Sequence, residues 1–409
     1  MQSRDGIAYL MVLGTMLVVA TLSLSGLLLA RGRLAASRAL NDAAEARDIA
    51  RSGIELACRW IAQDLNWRTN RPLGAWVTDL PIGNGTVTIE VSEPIDGDLT
   101  NGPYDAVRVR AIARRETARQ AWEVTLNAQP EPLPVLQYGL HSRGQLRISS
   151  GKSLTVRKAA ADTDGRLRND GTIVGNVEAA NIENAGSIVG SLTIDTTTEQ
   201  YPANPFALYA ALGTEITPGS TIDRRVLSPG SNPWGATNQD GVYVIRANDD
   251  LTIRNSRIHG TLVILLASGK RVTFDNSLLI HPFRTDYPSL LIQGEVEFKY
   301  SSALGLVELT ALTNFNPSDS PYNGDSDFDL LDVFPSEIRG LVHVRGKASF
   351  DSTGKVRGAV LCESSTEEAR FEGSNEIVYD RALFDLPPQG YAARVPMLPQ
   401  PGSWKRIVE

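Results

Sequence analysis

Cysteine is nearly absent from this chain, which has two, Cys58 and Cys362, among 409 residues. They lie far apart in the sequence and in unlike surroundings, so they indicate no disulfide framework. A structural zinc site needs about four Cys or His ligands. Two thiols therefore exclude, by number alone, a metal site built on thiolates.

Positive charge is also in short supply: 40 Lys and Arg residues stand against 47 Asp and Glu, for a net charge of −7. A protein without a strong positive field is unsuited to coating nucleic acid, so no nucleic-acid partner is expected. The composition is 42% hydrophobic and 21% charged, which is typical of a globular body rather than a disordered one.

Long hydrophobic runs are lacking everywhere except near the N-terminus, which excludes a multi-span transporter. There, the 24 residues from Ile7 to Ala30 carry no charge. As a helix they would be ~36 Å long, enough to cross a hydrocarbon core of ~30 Å. A secretory signal cleaved after Ala30 is the competing interpretation, but its apolar core is normally about 7–15 residues.

A helical pattern continues beyond the apolar run. The segment 31–66 is rich in Ala, Leu, Arg and Glu, and its first following proline is Pro72. Apolar residues recur at three- and four-residue spacing and predict one buried stripe: Leu40, Ala43, Ala44, Ala50, Ile54, Ala57 and Ile61. We therefore predict one helix over 7–66, apolar at first and amphipathic later.

The N-terminal pattern resembles that of type IV pilin-like proteins. A short charged leader, residues 1–6, ends in Gly6 and is followed by the apolar helix and then by the sequence SGIELA. The resemblance is to PilX-type minor pilins and to the large pseudopilin of type II secretion. It implies that a prepilin peptidase cuts between Gly6 and Ile7 on the cytoplasmic face. An Ala-rich membrane helix without any processing is the alternative.

The same resemblance implies a topology: a single pass through the bacterial inner membrane, with the body on the periplasmic or extracellular side and entry into a surface filament. Arg31, Arg33 and Arg38 follow the apolar run, and the positive-inside rule alone would place them in the cytoplasm. The implied partners are the membrane, the prepilin peptidase and other pilin-like subunits, which would contact the N-terminal helix.

One position departs from the pilin pattern. Major pilins have a glutamate at the fifth mature residue, where it pairs with the terminal amine of a neighbouring subunit. Here that position is Met11. An acid within a bilayer is costly and usually functional, so its absence matters. Minor members located at a filament tip also lack it, and the resemblance implies such a role for this chain.

Strand patterns begin after the helix. Residues 75–130 alternate apolar and polar with a period of two and contain GNG and NGPY turns, which predicts a small antiparallel β module packed on the amphipathic helix. The proline-rich segment 129–139 is the predicted boundary. The last segment, 381–409, is also proline-rich and is predicted to be an extended tail.

The region 140–380 contains a recurring unit in which one Gly stands between aliphatic neighbours. Six such glycines occur: Gly175, Gly190, Gly260, Gly294, Gly340 and Gly358. Gly at such positions lets the backbone turn sharply or pack closely on the next coil. The repeats predict a right-handed parallel β-helix. A β-sandwich with long insertions is the alternative, because the spacing between the glycines is irregular.

Two sets of residues are candidate metal ligands. An acidic loop offers oxygen ligands of the kind that Ca²⁺ prefers: Asp325, Asp327, Asp329 and Asp332. The EF-hand pattern fails here, since Leu330 and Ser336 replace its Gly and Glu, and a solvated loop is the competing interpretation. The four histidines are expected at the surface or in a satisfied core, with metal binding by His259, His281 and His343 as the alternative; the fourth is His141.

Taken together, these patterns predict a minor pilin or pseudopilin-like structural protein that displays a β-solenoid for assembly or adhesion. The alternative is a membrane-tethered protein that binds or modifies carbohydrate, with a groove formed by Arg254, Arg257, Asp275 and Arg284. The sequence has no GxSxG, HExxH, P-loop or GxGxxG motif. We therefore expect no catalytic residues, and no cofactor other than the calcium considered above.

Overall fold

A computed structural model describes residues 4–408, with side chains from Ile7 onward. The chain forms two compact units: residues up to 129 together with 395 and beyond, and residues 130–394. The predicted class is confirmed, since the protein is mainly β with one long N-terminal helix and a parallel β-solenoid. The β-sandwich alternative is wrong, because the pairings of the solenoid strands are parallel.

The first unit begins with the long helix and continues into hairpin-connected strands. In chain order these elements are α1 Arg4–Gln63, α2 Trp67–Asn70, β1 Gly74–Ile82, β2 Gly85–Ser92, β3 Val107–Arg115 and β4 Ala118–Ala128. The helix ends at Gln63 rather than at the predicted Asn66. The Asp64 carboxylate accepts the Asn66 N–H at 2.9 Å, and this local turn competes with a further helical bond.

The second half of α1 packs on the antiparallel sheet. Ala50, Ile54 and Ala57 are fully buried, and the burial of an Ile side chain contributes about 1.5–3 kcal/mol. A Cβ at Gly53 would lie 2.7 Å from a Val87 methyl, so glycine is required for this close approach. Leu40, the first residue of the predicted stripe, is 73% exposed, which corrects that part of the prediction.

The second unit is built from short strands and four short helical segments. In chain order they are β5 Glu131–Pro132, a 3₁₀ helix Pro134–Gln137, β6 Leu140–Ser142, β7 Gln145–Ile148, β8 Ser153–Arg157, β9 Ala161–Asn169, β10 Thr172–Val174, β11 Val177–Asn184, β12 Ser187–Val189, β13 Leu192–Ile194, α3 Pro205–Leu212, β14 Thr214–Glu215, β15 Thr221–Asp223, β16 Val226–Leu227, β17 Val242–Ala247, β18 Leu251–His259, β19 Thr261–Leu266, β20 Arg271–His281, β21 Leu290–Gln293, β22 Glu295–Tyr300, β23 Leu306–Val307, α4 Glu308–Ala311, β24 Val333–Phe334, β25 Glu337–Arg345, β26 Ala348–Phe350, β27 Lys355–Cys362, β28 Glu368–Phe371, β29 Ser374–Val378, α5 Ala382–Asp385 and β30 Ala392–Arg394.

The solenoid has three parallel faces, and several strands turn a corner and serve two of them. The first face runs β14, β17, β19, β21, β25, β27, β6, β9, β11, β13. The second runs β15, β18, β20, β22, β26, β28, β7, β9, β11. The third runs β16, β18, β20, β25, β27, β29, β8, β10, β12.

The coils do not stack in the order of the chain. The first strand of the solenoid, β6, lies in the middle of the first face, between β27 and β9. The chain winds from there to β13 at one end, crosses with α3 to β14 at the other end, and winds back to the middle. The wide gap between Gly190 and Gly260 is this crossing together with the loop that follows it. Strand β27 then pairs with β6, joining Val360 to Leu140 in register and closing the stack.

Aromatic rings form a continuous ladder inside the solenoid. Phe274, Phe298, Phe350 and Phe371 are register partners in four successive coils of the second face. Their ring centroids are 5.3, 4.7 and 4.5 Å apart, and the rings are stacked nearly parallel. Parallel pairing places like residues above one another, so the ladder fixes the register as well as filling the core.

Five of the six repeat glycines lie at one corner, between the third and first faces. There Gly358 has φ +150°, and a Cβ would lie 2.0 Å from the Gly340 carbonyl oxygen of the adjacent coil. Gly294 differs from the other five, because it joins β21 to β22 at the corner between the first and second faces. Its neighbour in the next coil is Gly346, where an added Cβ would lie 2.1 Å from the Gly294 carbonyl oxygen.

The predicted C-terminal tail is divided between the two units. Residues 381–394 belong to the solenoid unit, and the rest returns to the first unit. There β31 Met397–Pro399 and β32 Lys405–Ile407 pair antiparallel with β4. The solenoid is therefore an insertion between two strands of the antiparallel sheet. The sequence pattern missed this because three-residue strands between prolines carry no clear period.

Candidate functional site

The N-terminal half of α1 is a bare apolar surface. Every residue from Ile7 to Asn41 is exposed, and burial begins only with the segment 42–46. By length and composition this is a helix able to cross a membrane, and it is compatible with a single-pass anchor. Contiguous apolar surface of this extent marks an interaction site on a folded protein.

The predicted processing residues lie at the start of this helix. The backbone of Gly6 is helical, and the side chains of Ile7 and Met11 are 57% and 69% exposed. Residues 1–3 of the predicted leader lie outside the described residues. Met11 therefore presents its thioether on the bare surface.

The structure regroups the predicted calcium ligands. Asp327 and Asp332 lie close together with Glu308, which is not one of the predicted ligands. Asp325 instead pairs through its backbone with Tyr322, and Asp329 accepts the N–H of Leu331 at 2.9 Å. The four aspartates therefore do not form the one site that their spacing suggested.

Glu308 organises the acidic loop from within. Its side chain is fully buried, and its two carboxylate oxygens accept the N–H groups of Phe315 and Asp332. Burial raises its pKa, and the two hydrogen bonds act in the opposite direction. Both oxygens of this residue are thus already occupied by loop amides.

His259 and His281 are stacked on the third face with ring centroids 4.2 Å apart. Burial lowers the pKa of His259 to about 4 and that of His281 to about 2, and the nearby Arg257 acts in the same direction. Both rings are therefore neutral at pH 7. His343 lies on the first face, so the structure separates the three histidines that were considered as one metal site.

The four residues proposed for a carbohydrate groove also have separate roles. Arg257 is fully buried and donates to three carbonyl oxygens of the loop above it, those of Phe315, Ser320 and Pro321, at 2.6–2.7 Å. Arg284 pairs with Asp286 and Asp240, and Arg254 pairs with Asp223. Asp275 lies beside Arg254 in the next rung of the second face.

His343 belongs to a cluster with balanced charge. Its Nδ1 lies 2.8 Å from the Tyr391 hydroxyl, and its Nε2 lies 3.2 Å from a Glu363 oxygen. Arg345 donates two hydrogen bonds to the same carboxylate, at 2.9 and 3.2 Å. Burial would raise the pKa of Glu363, but the bonds from His343 and Arg345 hold it at about 2.

His141 is the centre of a second cluster on the same face. Its Nε2 lies 3.0 Å from an Asp162 oxygen and 3.2 Å from an Asp164 oxygen, and its Nδ1 lies 2.7 Å from the Tyr201 hydroxyl. The imidazole is fully buried. Burial lowers the pKa of His141, but the two carboxylates outweigh it and the net direction is upward.

This second cluster was missed from the sequence. Asp162 and Asp164 alternate within one strand, which was an available signal, but His141 is a neighbour only because β6 pairs with β9. Glu199 and Tyr201 arrive from the crossing segment, which sequence patterns do not place. Coil order, rather than residue type, decides which side chains meet here.

Comparisons with known proteins assign no family. No protein-family model and no curated protein matches the chain. Among solved structures, the competence-associated pilin ComZ from Thermus thermophilus is 10% identical, with 90% of this chain and 98% of that chain covered and a TM-score of 0.23.

Two ice-binding proteins are also similar in outline. One, from an Antarctic biological consortium, is 11% identical over 61% of this chain and 91% of its own, with a TM-score of 0.28. The other, from the Antarctic ascomycete Antarctomyces psychrotrophicus, is 13% identical over 60% and 98%, with a TM-score of 0.25. At such identities and scores these likenesses assign neither a family nor a function.

Proposed function

We propose that this protein is a minor pilin or pseudopilin-like structural protein of a type IV pilus or a type II secretion-like system. The observation that carries the proposal is the division of α1 into two halves. From Ile7 to Asn41 the helix is bare and mostly apolar, whereas from Ala46 it packs on an antiparallel sheet. The C-terminal half of this helix is covered by the sheet, whereas its N-terminal half needs a partner from outside the chain.

The external partner changes as the protein assembles. In the membrane, lipid covers the 24 uncharged residues; in a filament, the corresponding helices of other pilin-like subunits replace the lipid. At Gly14 and Gly26 an added Cβ would meet nothing within 4 Å beyond the helix's own backbone, which leaves room for close helix packing. Met11 supports an initiating or tip position, since it offers no carboxylate for a preceding subunit.

The solenoid is the displayed part of the molecule. It is inserted between β4 and β31, so the antiparallel sheet is completed on both sides of the insertion. The helix-and-sheet unit, which would enter the filament, therefore keeps its complete sheet regardless of the residues that the inserted solenoid contains. We assign the solenoid to adhesion or to the assembly of the tip.

The proposal is tested by cellular fractionation of surface filaments. The wild-type protein is expected in the sheared filament fraction, at low copy number and at filament ends in immunogold images. A Gly6→Val variant should remain in the membrane, because a β-branched side chain before Ile7 blocks cleavage by a prepilin peptidase. Gly14→Val is the matched control, and it should still be processed. Exclusion of the wild-type protein from filaments would overturn the proposal.

A glycan-binding role is the second candidate, and one feature of the second face favours it. Arg370, Arg147 and Arg168 are register partners in three successive rungs and form a partly exposed row of guanidinium groups, in which Arg370 and Arg168 also pair with Glu372 and Asp170. Such a row suits the carboxylates of acidic sugars. Binding of uronic-acid oligosaccharides that is lost when all three are changed to Ala, and kept in Arg271→Ala, would support it. Turnover of the glycan would contradict a purely structural role.

A further inference from the structure

The His141 cluster contains more negative charge than its protein partners can balance. Asp162 and Glu199 are 4% and 8% exposed, and the Asp164 side chain is 5% exposed. A fourth carboxylate, Glu178, lies 3.3 Å from the Tyr138 hydroxyl, which is itself 3.5 Å from Glu199. Isolated carboxylates are not buried in this number without a compensating cation.

The fold gathers these groups from four segments of the chain. His141 and Asp162 are register partners on β6 and β9, and Asp162 is the register partner of Glu178 on β11. The crossing segment after β13 then passes over this part of the first face. It is fixed there by the Glu199 N–H, which donates to Asp164 at 3.1 Å.

Hydrogen bonding decides which nitrogen of His141 carries a proton. The Tyr201 hydroxyl donates its one proton to the Cys362 carbonyl at 2.9 Å, so it accepts at its contact with His141 Nδ1. Nδ1 therefore carries the hydrogen. In a neutral ring the Nε2 lone pair would then face two carboxylate oxygens, and this arrangement requires either a proton on Nε2 or a cation between these atoms.

Lysine and arginine side chains do not supply such a cation. Among the described residues, no Lys or Arg forms an ion pair with Asp162, Asp164 or Glu199, and Arg143 lies over the Tyr201 ring instead, 5.3 Å from its centroid. Asp164 Oδ2 is buried and has no hydrogen-bond partner. One carboxylate oxygen of the cluster is therefore left available to a ligand.

We propose that this cluster is a structural site for a divalent transition metal of the zinc class, bound by His141 Nε2, Asp162 and Asp164, with Glu199 beside it. Tetrahedral bonds of ~2.0–2.1 Å place two ligand atoms about 3.3 Å apart. The observed separations from Nε2, 3.0 and 3.2 Å, are close to this value. The Nδ1–H bond to Tyr201 is the outer contact that orients a metal-bound imidazole.

The metal would stabilise the stack at the point where the coils depart from the order of the chain. It connects β6, β9 and the crossing segment, and Tyr201 extends the connection to the carbonyl of Cys362 at the end of β27. These are the strands at which the last coil meets the first. A mixed nitrogen and oxygen set favours zinc, cobalt or manganese over calcium, which prefers oxygen ligands alone.

The test uses the full chain in detergent, freed of metal with a chelator and titrated with Co²⁺. One equivalent should give the visible absorption of tetrahedral cobalt, and zinc should displace it. Saturating zinc should raise the Tm of the solenoid by roughly 5–10 °C, the rise expected at about a hundred times the Kd. Asp164→Asn should lose the band, and His343→Asn, the matched control on the same face, should keep it.

Absence of the cobalt band in the wild-type protein would overturn the proposal, whether or not the variants fold. The cluster would then be an imidazolium ion held between carboxylates. A band that survives in both Asp164→Asn and His141→Asn would also overturn it, because the metal would be bound elsewhere. Neither outcome affects the proposed role in a filament, which depends on the helix.

Discussion

The two units of this protein differ in how they bury their apolar surface. The solenoid fills its own interior, with a ladder of four stacked phenylalanines and closely packed glycine corners. The helix-and-sheet unit buries only the second half of its longest element and leaves Ile7 to Asn41 exposed. The solenoid therefore buries most of its apolar surface within one chain, except at its terminal coil, where Val189, Leu192 and Ile194 are exposed. The helical unit depends on what surrounds it.

Under the proposed function, this difference separates assembly, on the helix, from display, on the solenoid. Under the same proposal, the surface that the chain leaves uncovered makes its contacts outside the chain, with lipid and with other helices. A solenoid whose coils pack only on each other tolerates changes on its outer rows. Variants in the solenoid interior should therefore affect folding, and variants on the bare helix should affect location.

The largest effect is expected at a corner of the solenoid. In Gly358→Val the new side chain would begin 2.0 Å from the Gly340 carbonyl, so the two coils cannot pack. We expect the solenoid to lose more than about 4 kcal/mol, which is the scale of severe steric defects. Thermal unfolding and protease sensitivity of residues 130–394 measure this.

Gly219→Val is the control for that experiment. Gly219 also has a positive φ, +76°, but has open space around it. Backbone strain alone costs roughly 1–2 kcal/mol. Equal losses in the two variants would show that strain, and not coil packing, explains the corner glycines.

The second effect concerns the aromatic ladder. Phe298→Ala removes a ring that stacks on Phe274 and Phe350, and such truncations cost about 3–5 kcal/mol. Hydrogen exchange followed by mass spectrometry should show faster exchange throughout the solenoid and unchanged exchange in β1–β4. Phe328→Ala, at a residue that is 91% exposed, should change neither unit. Loss of protection in both units would contradict their independence.

The third effect should leave folding unchanged. Val18→Arg places a charge in the middle of the apolar run, on a residue that is 56% exposed. Insertion should become less favourable by about 2.5–3.5 kcal/mol, and the membrane-bound fraction should fall. Leu40→Arg, which is also exposed but lies beyond the run, should stay in the membrane. Unchanged insertion of both variants would argue against a membrane role for residues 7–30.

The smallest effect is a pH dependence in the His343 cluster. Hydrogen bonds from His343 and Arg345 lower the pKa of Glu363 to about 2, from about 4.3 in an unfolded chain. The lowered pKa stabilises the folded state, and this contribution is fully present above about pH 5. As the pH falls toward 2 the contribution is lost, so the free energy of unfolding falls by about 2–3 kcal/mol. Urea unfolding between pH 6 and 2.5 measures it. The free energy of unfolding should change less with pH in Glu363→Gln than in the wild-type protein. An identical pH dependence in the two proteins would exclude this carboxyl as its source.

Much of the architecture was predictable because it depends on local periodicity. The uncharged run and the stripe ending in Ala57 and Ile61 gave the long helix, and the repeated glycines gave the parallel solenoid. The order of the coils was not predictable, because nothing local indicates that β6 should pair with β27.

The candidate sites were less predictable for the same reason. Sequence spacing grouped Asp325 and Asp329 with their neighbours, whereas folding brought Glu308 into the acidic loop. The His141 cluster combines strands from three successive coils with the crossing segment. Residue types could be identified from the sequence, but their combination required the pairing of distant strands.

The central claim, that the helix enters a pilin-like pathway, is tested most directly by the N-terminus of the protein isolated from its native membrane. Intact mass and N-terminal sequencing should give a chain that begins at Ile7, the product of cleavage after Gly6. A chain that begins at Met1, or one that begins near Arg31 after signal-peptide cleavage, would contradict the account.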